Sequence, residues 1–299
     1  MRYEAIENAP FGVEVFDFNP REGLSSEHIE LLNRLFDLHR LILLRGNDVG
    51  NDAHIALVNA IEPAVREGAT DALFSINSTV RKDAYIPGRA ALPFHSDYLF
   101  SSHGPIQVVS LAALKLEIGE PTMFTDSVAA ARRLPPELEA RLQEMELVQC
   151  QSWAVDVSGE FTDLPRRLQI SHFDDVPREQ LSIASSPALR RHPRTGEKVL
   201  MHSECMTSHV RTLGERESLP FFDLVMQHQY DPADTYTHHW REGDLVIWDN
   251  FALQHGRPAL AKSGERLLRR VAGNRISIRE VMDGVIPGRL ANVTVQDNA

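Results

Sequence analysis

The 299-residue sequence has few cysteines, a shortage of basic side chains and no long apolar run. Cys150 and Cys205 are its only cysteines, too few for a disulfide framework or a cysteine-rich metal site, so a reducing compartment is expected. No stretch approaches the roughly 20 apolar residues of a membrane-spanning helix, and the first residues are not followed by the apolar core of a signal peptide. These absences predict a soluble, cytoplasmic protein that does not bind membranes.

The shortage of positive charge also limits the class of partner. Asp and Glu number 42 and Lys and Arg 31, which gives a formal net charge of −11. Nucleic acids are bound by basic surfaces that neutralise phosphates, so they are not expected partners. With 42% hydrophobic residues, the chain is long enough for one large domain. We expect a single domain over residues 1–299, and association into a homo-oligomer is left open.

Short apolar segments separated by Gly and Pro dominate the chain and are typical of strands and turns. Ser25, Asp52, Asp126 and Pro136 are good helix-starting residues, and each opens an amphipathic stretch. The pattern predicts a mostly β fold, a sandwich or barrel, with flanking helices. We place its core at about residues 90–280 and helical and strand support at 1–89. The irregular segment 156–182 has the composition of a long loop and is a possible lid.

The most informative stretch chemically is Pro93-Phe94-His95-Ser96-Asp97-Tyr98. If it is a strand, His95 and Asp97 point to one face from backbones about 6–7 Å apart, near enough to bind one metal ion. An imidazole and a carboxylate supply two of the three ligands that non-haem Fe(II) oxygenases use, which leaves positions for a cosubstrate and O₂. The third ligand must come from elsewhere. A surface histidine beside a solvated aspartate is the alternative.

Residues in the last third of the chain could complete such a site. His255 follows the apolar strand Leu245–Trp248 and can face a barrel interior, while Arg266 and Arg270 fall on one face of the last strong strand. Inward-facing arginines are costly unless anions meet them. A 2-oxo acid chelates Fe(II) through its 1-carboxylate and keto oxygen, which leaves its distal carboxylate for an arginine fork, and Thr122 can add a hydroxyl donor. The alternatives are a surface arginine and an ordinary strand threonine.

Taken together, these motifs resemble the Fe(II)/2-oxoglutarate-dependent dioxygenases of the TauD/TfdA family. The resemblance covers about residues 90–280. Its five ordered segments are Phe94-His95-Ser96-Asp97, Gly119-x-x-Thr122-Met123-Phe124, His192-Pro193-x-Thr195-Gly196-x-Lys198, Trp248-Asp249-Asn250 with His255, and Arg266 with Arg270.

The resemblance implies a double-stranded β-helix, a distorted jelly-roll, in which His95, Asp97 and His255 hold Fe(II). It also implies that Thr122 and Arg266 bind 2-oxoglutarate and that Arg270 binds an anionic group of the substrate, a carboxylate or sulfonate. The expected reaction oxidises a C–H bond of a small molecule, usually by hydroxylation, and releases succinate and CO₂. Arg270 would otherwise face the pocket with an uncompensated charge. The alternative is that it pairs with a protein acid, for instance from the acidic loop between residues 156 and 175.

Two further alternatives remain open. His202-Ser203-Glu204 offers another His-x-acid pair, at a spacing from His255 that is familiar in other branches of the 2-oxoglutarate oxygenases. His95 is preferred because the remaining motifs then follow in the TauD/TfdA order. The fold could also serve a non-catalytic protein that binds a small acid or a metal, since fold does not dictate function; a complete ligand set beside an inward-facing arginine favours the enzyme. Trp240 and Trp248 are interpreted as core aromatics.

Overall fold

The structure, a computed structural model, describes residues 1–46, 49–67, 72–77, 91–101, 103–150, 183–261 and 263–281. The segment 156–182, predicted as a possible lid, lies outside the described residues, so its role stays a prediction. No helix in the described ranges is both long enough and apolar enough to cross a membrane.

Strands supply most of the regular structure. In chain order they are β1 (Arg2–Ala5), β2 (Val13–Phe16), β3 (Leu41–Leu44), β4 (Ala64–Val65), β5 (Leu73–Asn77), β6 (Leu92–His95), β7 (Val108–Leu116), β8 (Thr122–Asp126), β9 (Glu146–Cys150), β10 (Ile183–Pro187), β11 (Leu189–Arg191), β12 (Lys198–Leu200), β13 (Thr207–Val210), β14 (Thr235–His238), β15 (Leu245–Asp249), β16 (Leu253–Arg257) and β17 (Arg266–Gly273).

These strands form two large sheets and two small ones. The larger has eight strands in the order β1-β2-β3-β15-β7-β17-β4, with β5 also paired to β17. The second has four strands in the order β14-β8-β16-β6. In the small sheets β9 lies between β10 and β13, and β11 pairs with β12. The described pairs are antiparallel except β2 with β3, which run parallel.

The main core lies between the two large sheets. Phe124 of the four-stranded sheet shares one buried cluster with Trp248 and Leu268 of the eight-stranded sheet. On β17, Leu268 faces this inner cluster while Val271 faces a second cluster on the outer side, as side-chain alternation requires. The central strands of the eight-stranded sheet are covered on both faces. For this reason β3 has the apolar sequence Leu-Ile-Leu-Leu, and all four of its residues are buried. The predicted β-sandwich or barrel is therefore observed.

Helices pack against this framework. They are α1 (Ser26–His39), α2 (Asn51–Asn59), α3 (Ser127–Arg133), α4 (Pro136–Gln143), α5 (Glu215–Gln229) and α6 (Ile278–Val281). Ser25 caps α1, since its Oγ accepts from the backbone N–H of His28 at 3.2 Å, and Leu32 and Phe36 then face the outer side of the large sheet. Asp126, the last residue of β8, caps α3 as expected.

The N-terminal segment is more than the support predicted for residues 1–89. It contributes β1 to β5 to the eight-stranded sheet, and β3 pairs directly with β15. The four residues of β1 are all exposed, so they carry no apolar alternation from which a strand could have been predicted.

Candidate metal centre

Two neighbouring strands of the four-stranded sheet bring the predicted histidines together. His95 is the last residue of β6, and His255 lies at the centre of β16, directly opposite it in the antiparallel register. Residues opposite one another in such a pair point to the same face. The ring centroids are 4.2 Å apart. Trp248 packs edge-on against the His255 ring at 4.9 Å, so this core aromatic also supports the site.

Asp97 lies in the turn after β6, and not in a strand with His95 as expected. The turn continues through Tyr98, whose φ of 62° is uncommon for a residue other than glycine. The buried side chain of Asn250 holds this turn. Its Oδ1 accepts from the Asp97 N–H at 3.0 Å, and its Nδ2 donates to the carbonyls of Asp97 at 3.1 Å and Ile106 at 2.9 Å. The carboxylate is thus positioned by the end of β15 as well as by β6.

Within the described residues, His95, Asp97 and His255 form a group that could hold a metal ion, with all ligand atoms within 4.8 Å of one another. Asp97 Oδ1 is 3.5 Å from His95 Nε2 and 4.0 Å from His255 Nε2. Ligand atoms that bind one metal at about 2.1 Å lie about 3–4 Å apart, so small movements suffice. His95 Nδ1 lies 2.9 Å from the Pro93 carbonyl, which leaves Nε2 for a metal. Two imidazoles and one carboxylate fit Fe(II) with positions left open.

Electrostatics favour the protonation states that bind a metal. Burial, reinforced by the His95 ring, lowers the pKa of His255 to about 3, so its imidazole is neutral at neutral pH. Burial alone would raise the pKa of Asp97, but Arg270 and the two histidines hold it well below its ordinary value. Neutral imidazole and ionised carboxylate are the forms that ligate metals.

A second polar cluster joins β8 to β17. Arg266 Nη2 donates to Thr122 Oγ1 at 3.2 Å, and Trp240 Nε1 donates to the same oxygen at 2.9 Å. The Arg266 guanidinium also lies 5.8 Å from the centre of the Trp240 ring. The structure therefore brings together the two residues predicted to bind the 2-oxo acid. Trp240 also belongs to this cluster. Its sequence context did not distinguish it from an ordinary core aromatic.

Arg257, two residues beyond His255 on β16, was missed in the sequence analysis. Burial and the nearby charge of Arg266 together lower its pKa to about 10, although Glu120 opposes both effects. Burial likewise lowers the pKa of Arg266 to about 10, partly offset by Glu120. Two buried guanidiniums near one another favour an anion between them. The His-x-Arg spacing in a strand, which puts both side chains on one face, is the signal that could have found it.

Comparisons with known proteins identify the family. Residues 3–272 match the family model described as taurine catabolism dioxygenase TauD, TfdA family. The chain belongs to this family. Pentalenolactone F synthase of Streptomyces arenae is 25% identical over 284 residues, which cover 91% of this chain and 94% of that protein. The alpha-ketoglutarate-dependent 2,4-dichlorophenoxyacetate dioxygenase of Cupriavidus pinatubonensis is 25% identical over 278 residues, covering 87% and 93%. The crystal structure of AAD-2 in complex with Mn(II) and N-oxalylglycine matches with a TM-score of 0.70 at 18% identity, covering 91% and 98%.

Membership of the TauD/TfdA family confirms the predicted enzyme class, an Fe(II)- and 2-oxoglutarate-dependent dioxygenase. The structural match confirms the distorted jelly-roll. The roles of the individual residues stay predictions.

The contacts of Arg270 differ from the expectation that it faces the pocket with an uncompensated charge. Its Nε and Nη2 donate to the two carboxylate oxygens of Glu67 at 2.8 and 3.0 Å, and its Nη1 donates to Asp97 Oδ2 at 2.6 Å. The expectation of an uncompensated charge is therefore wrong, and the alternative, pairing with a protein acid, is what the structure shows. The acid is Glu67, 203 residues earlier in the chain, and not one from the loop between 156 and 175.

The alternative pair His202 and Glu204 lies outside the metal cluster of the described residues. His202 is fully buried and its Nδ1 is 2.7 Å from Gln229 Oε1. Its backbone carbonyl accepts from the side-chain amide of Gln254 at 2.5 Å. Gln254 immediately precedes His255, so this segment supports β16.

The motif segment that begins at His192 also supports the site. His192 follows β11, and its Nδ1 accepts from two N–H groups of its own turn at 3.2 and 3.1 Å. Its Nε2 can then donate to Asp249 Oδ2 at 2.8 Å. The other carboxylate oxygen of Asp249 accepts from two N–H groups of the turn leading to β16, at 3.1 and 3.2 Å. Asp249 thus holds the turn before His255.

Gly256 permits the close approach of the two strands that carry the histidines. A Cβ at this position would lie 2.8 Å from the Leu92 carbonyl oxygen and 3.2 Å from the Phe94 nitrogen, both on β6. The pairing of β16 with β6 is irregular here. Any side chain at Gly256 would push β6, and His95 with it, away from β16.

Proposed function

We propose that the protein oxidises a C–H bond of a small organic substrate, most simply by hydroxylation, while it converts 2-oxoglutarate to succinate and CO₂. One atom of O₂ enters the substrate and the other enters succinate, so the reaction balances without an external reductant. The observation that carries the proposal is the convergence of His95, Asp97 and His255 beside the buried Thr122 and Arg266 cluster. The non-catalytic alternative has no observation in its favour.

In this proposal His95, Asp97 and His255 hold Fe(II), which together with 2-oxoglutarate supplies O₂ activation. His95 is oriented by the Pro93 carbonyl, and Asp97 is oriented through its backbone by Asn250. The side chains of His95, Asp97 and His255 are 3%, 17% and 12% exposed, so little bulk water reaches the metal position.

The cosubstrate's distal carboxylate is assigned to Thr122, Arg266 and Arg257. Arg266 and Arg257 are 5% and 7% exposed, and burial disfavours the charged form of both. A carboxylate placed beside them restores favourable electrostatics, and a guanidinium can grip it through two parallel hydrogen bonds. Thr122 already accepts from Arg266 and Trp240, so its own hydroxyl proton remains available to the carboxylate.

The substrate is a small molecule, as it is for the named relatives. The narrower expectation, an anion gripped by Arg270, requires that anion to displace the Glu67 carboxylate. It is the alternative that anion titration of the Glu67 and Arg270 variants, described below, tests. The cytoplasmic location and the oligomeric state stay predictions.

Measurement of O₂ consumption and succinate release tests the proposed reaction. Wild-type protein supplied with Fe(II) and 2-oxoglutarate should consume O₂, and Asp97→Ala should not. Glu204→Ala is the matched control, because it removes a carboxylate outside the metal cluster. Absence of 2-oxoglutarate-dependent O₂ consumption by a wild-type protein that has bound iron would contradict the proposal.

A further inference from the structure

The guanidinium of Arg270 is enclosed by protein carboxylates. One edge, Nε with Nη2, forms a two-bond fork with Glu67, and Nη1 bonds Asp97. The side chains of Arg270 and Glu67 are 9% and 10% exposed, so this is a largely buried ion pair. The fork geometry is the one an arginine would offer to a carboxylate or sulfonate from solution. Glu67 therefore occupies the Nε–Nη2 edge of Arg270, which a substrate anion would need in order to form two parallel hydrogen bonds.

Glu67 is held from a second direction. The Tyr98 phenol hydrogen bonds to the Glu67 carboxylate. Tyr98 reaches this position from the left-handed turn that also carries Asp97. Because both the Arg270 guanidinium and the Tyr98 phenol bind its carboxylate, Glu67 is a fixed part of the site.

The charges around the metal position make Glu67 the main counter-ion of Arg270. Asp97 is shared between Arg270 and the two histidines, and a bound metal ion would draw on the same carboxylate. Glu67 is then the remaining counter-ion of Arg270. If a substrate anion took the fork, Glu67 would be left buried with its charge unmatched, beside a second negative group.

From this geometry we infer that Glu67 is a specificity-determining residue: it supplies the anion at Arg270, and the substrate group that approaches Arg270 is uncharged. The inference rests on the proposed oxygenase function and narrows its substrate class to molecules without a carboxylate or sulfonate at that position. A substrate that is uncharged at this position approaches an ion pair with no net charge. A small anion instead finds the Arg270 fork already occupied by the Glu67 carboxylate.

Anion binding by the metal-free, full-length protein tests this inference without any use of turnover. The probes are methanesulfonate and phenoxyacetate, titrated by calorimetry. Glu67→Gln removes the internal carboxylate but keeps its shape, so we expect it to bind the probes at least about a hundredfold more tightly than wild type, the scale of one buried charge pair. Glu67→Asp is the matched control, because it keeps the charge and should bind as weakly as wild type.

The double variant Glu67→Gln/Arg270→Gln accounts for anions that bind elsewhere, for example at Arg266. It removes both members of the ion pair, so neither is left buried and unmatched. Wild type and double variant should bind the probes equally weakly, and this comparison decides the matter even if Glu67→Gln alone does not fold. Tighter binding by wild type than by the double variant would overturn the inference, as would equal binding by wild type and a folded Glu67→Gln. Because iron and 2-oxoglutarate are absent, these results are independent of the O₂ assay that tests the oxygenase reaction.

Discussion

Replacement of Asn250 by Ala should remove the hydrogen bonds that position the backbone of the metal ligand Asp97. Asn250 is fully buried, and its amide makes three hydrogen bonds to the backbone of Asp97 and Ile106. At about 1 kcal/mol for each bond, the free energy of unfolding should fall by about 3 kcal/mol. Metal affinity should fall about 10- to 100-fold, the range expected when a group that orients a metal ligand is removed.

Anaerobic titration with Fe(II), followed by calorimetry, measures the affinity, and urea denaturation measures the stability. Asn274→Ala is the matched control: its amide bonds the Gln107 N–H at 3.3 Å and the Ile276 carbonyl at 3.2 Å, neither of which belongs to the ligand set. The control should lose stability and keep its metal affinity within about twofold. If Asn250→Ala binds iron as tightly as the control, the turn does not depend on Asn250 and the reasoning is refuted.

Three further predictions concern the rest of the site. Arg266→Lys keeps the charge but not the guanidinium fork, so the apparent affinity for 2-oxoglutarate in the O₂ assay should fall by about 2 kcal/mol or more, roughly thirtyfold; an unchanged value would refute its assignment. Arg257→Gln should weaken 2-oxoglutarate binding about tenfold in calorimetry of the Mn(II)-loaded protein, and equal binding would remove Arg257 from the site. Gly256→Ala should weaken metal binding because its Cβ meets the β6 backbone, whereas Gly119→Ala, with open space around its Cβ, should not; equal effects would contradict the close-approach argument.

Local patterns predicted much of the framework. Buried runs such as Leu41–Leu44 and Leu245–Trp248 are strands because both faces of the large sheet are covered. Asp126 was recognisable as a helix cap because its short carboxylate can accept from the N–H groups two and three residues on. The three members of the metal cluster were found because their residue types fit one metal and their order matched a known family.

Long-range and conformational details escaped local reasoning. The turn at Asp97 depends on a left-handed Tyr98 and on Asn250, 153 residues further along the chain from Asp97. Spacing alone also could not show which of 42 acids meets Arg270, because that partner is fixed by the packing of residues near β4 against β17. Such pairs become visible only when the sheets are assembled.

The central claim is that His95, Asp97 and His255 hold the catalytic metal. An anomalous difference map, measured at the metal absorption edge on an anaerobic crystal grown with Fe(II) and 2-oxoglutarate, tests it most directly. We expect one peak within bonding distance of His95 Nε2, His255 Nε2 and a carboxylate oxygen of Asp97. A peak bound by His202 and Glu204, or one that leaves out His95 or Asp97, would contradict the assignment.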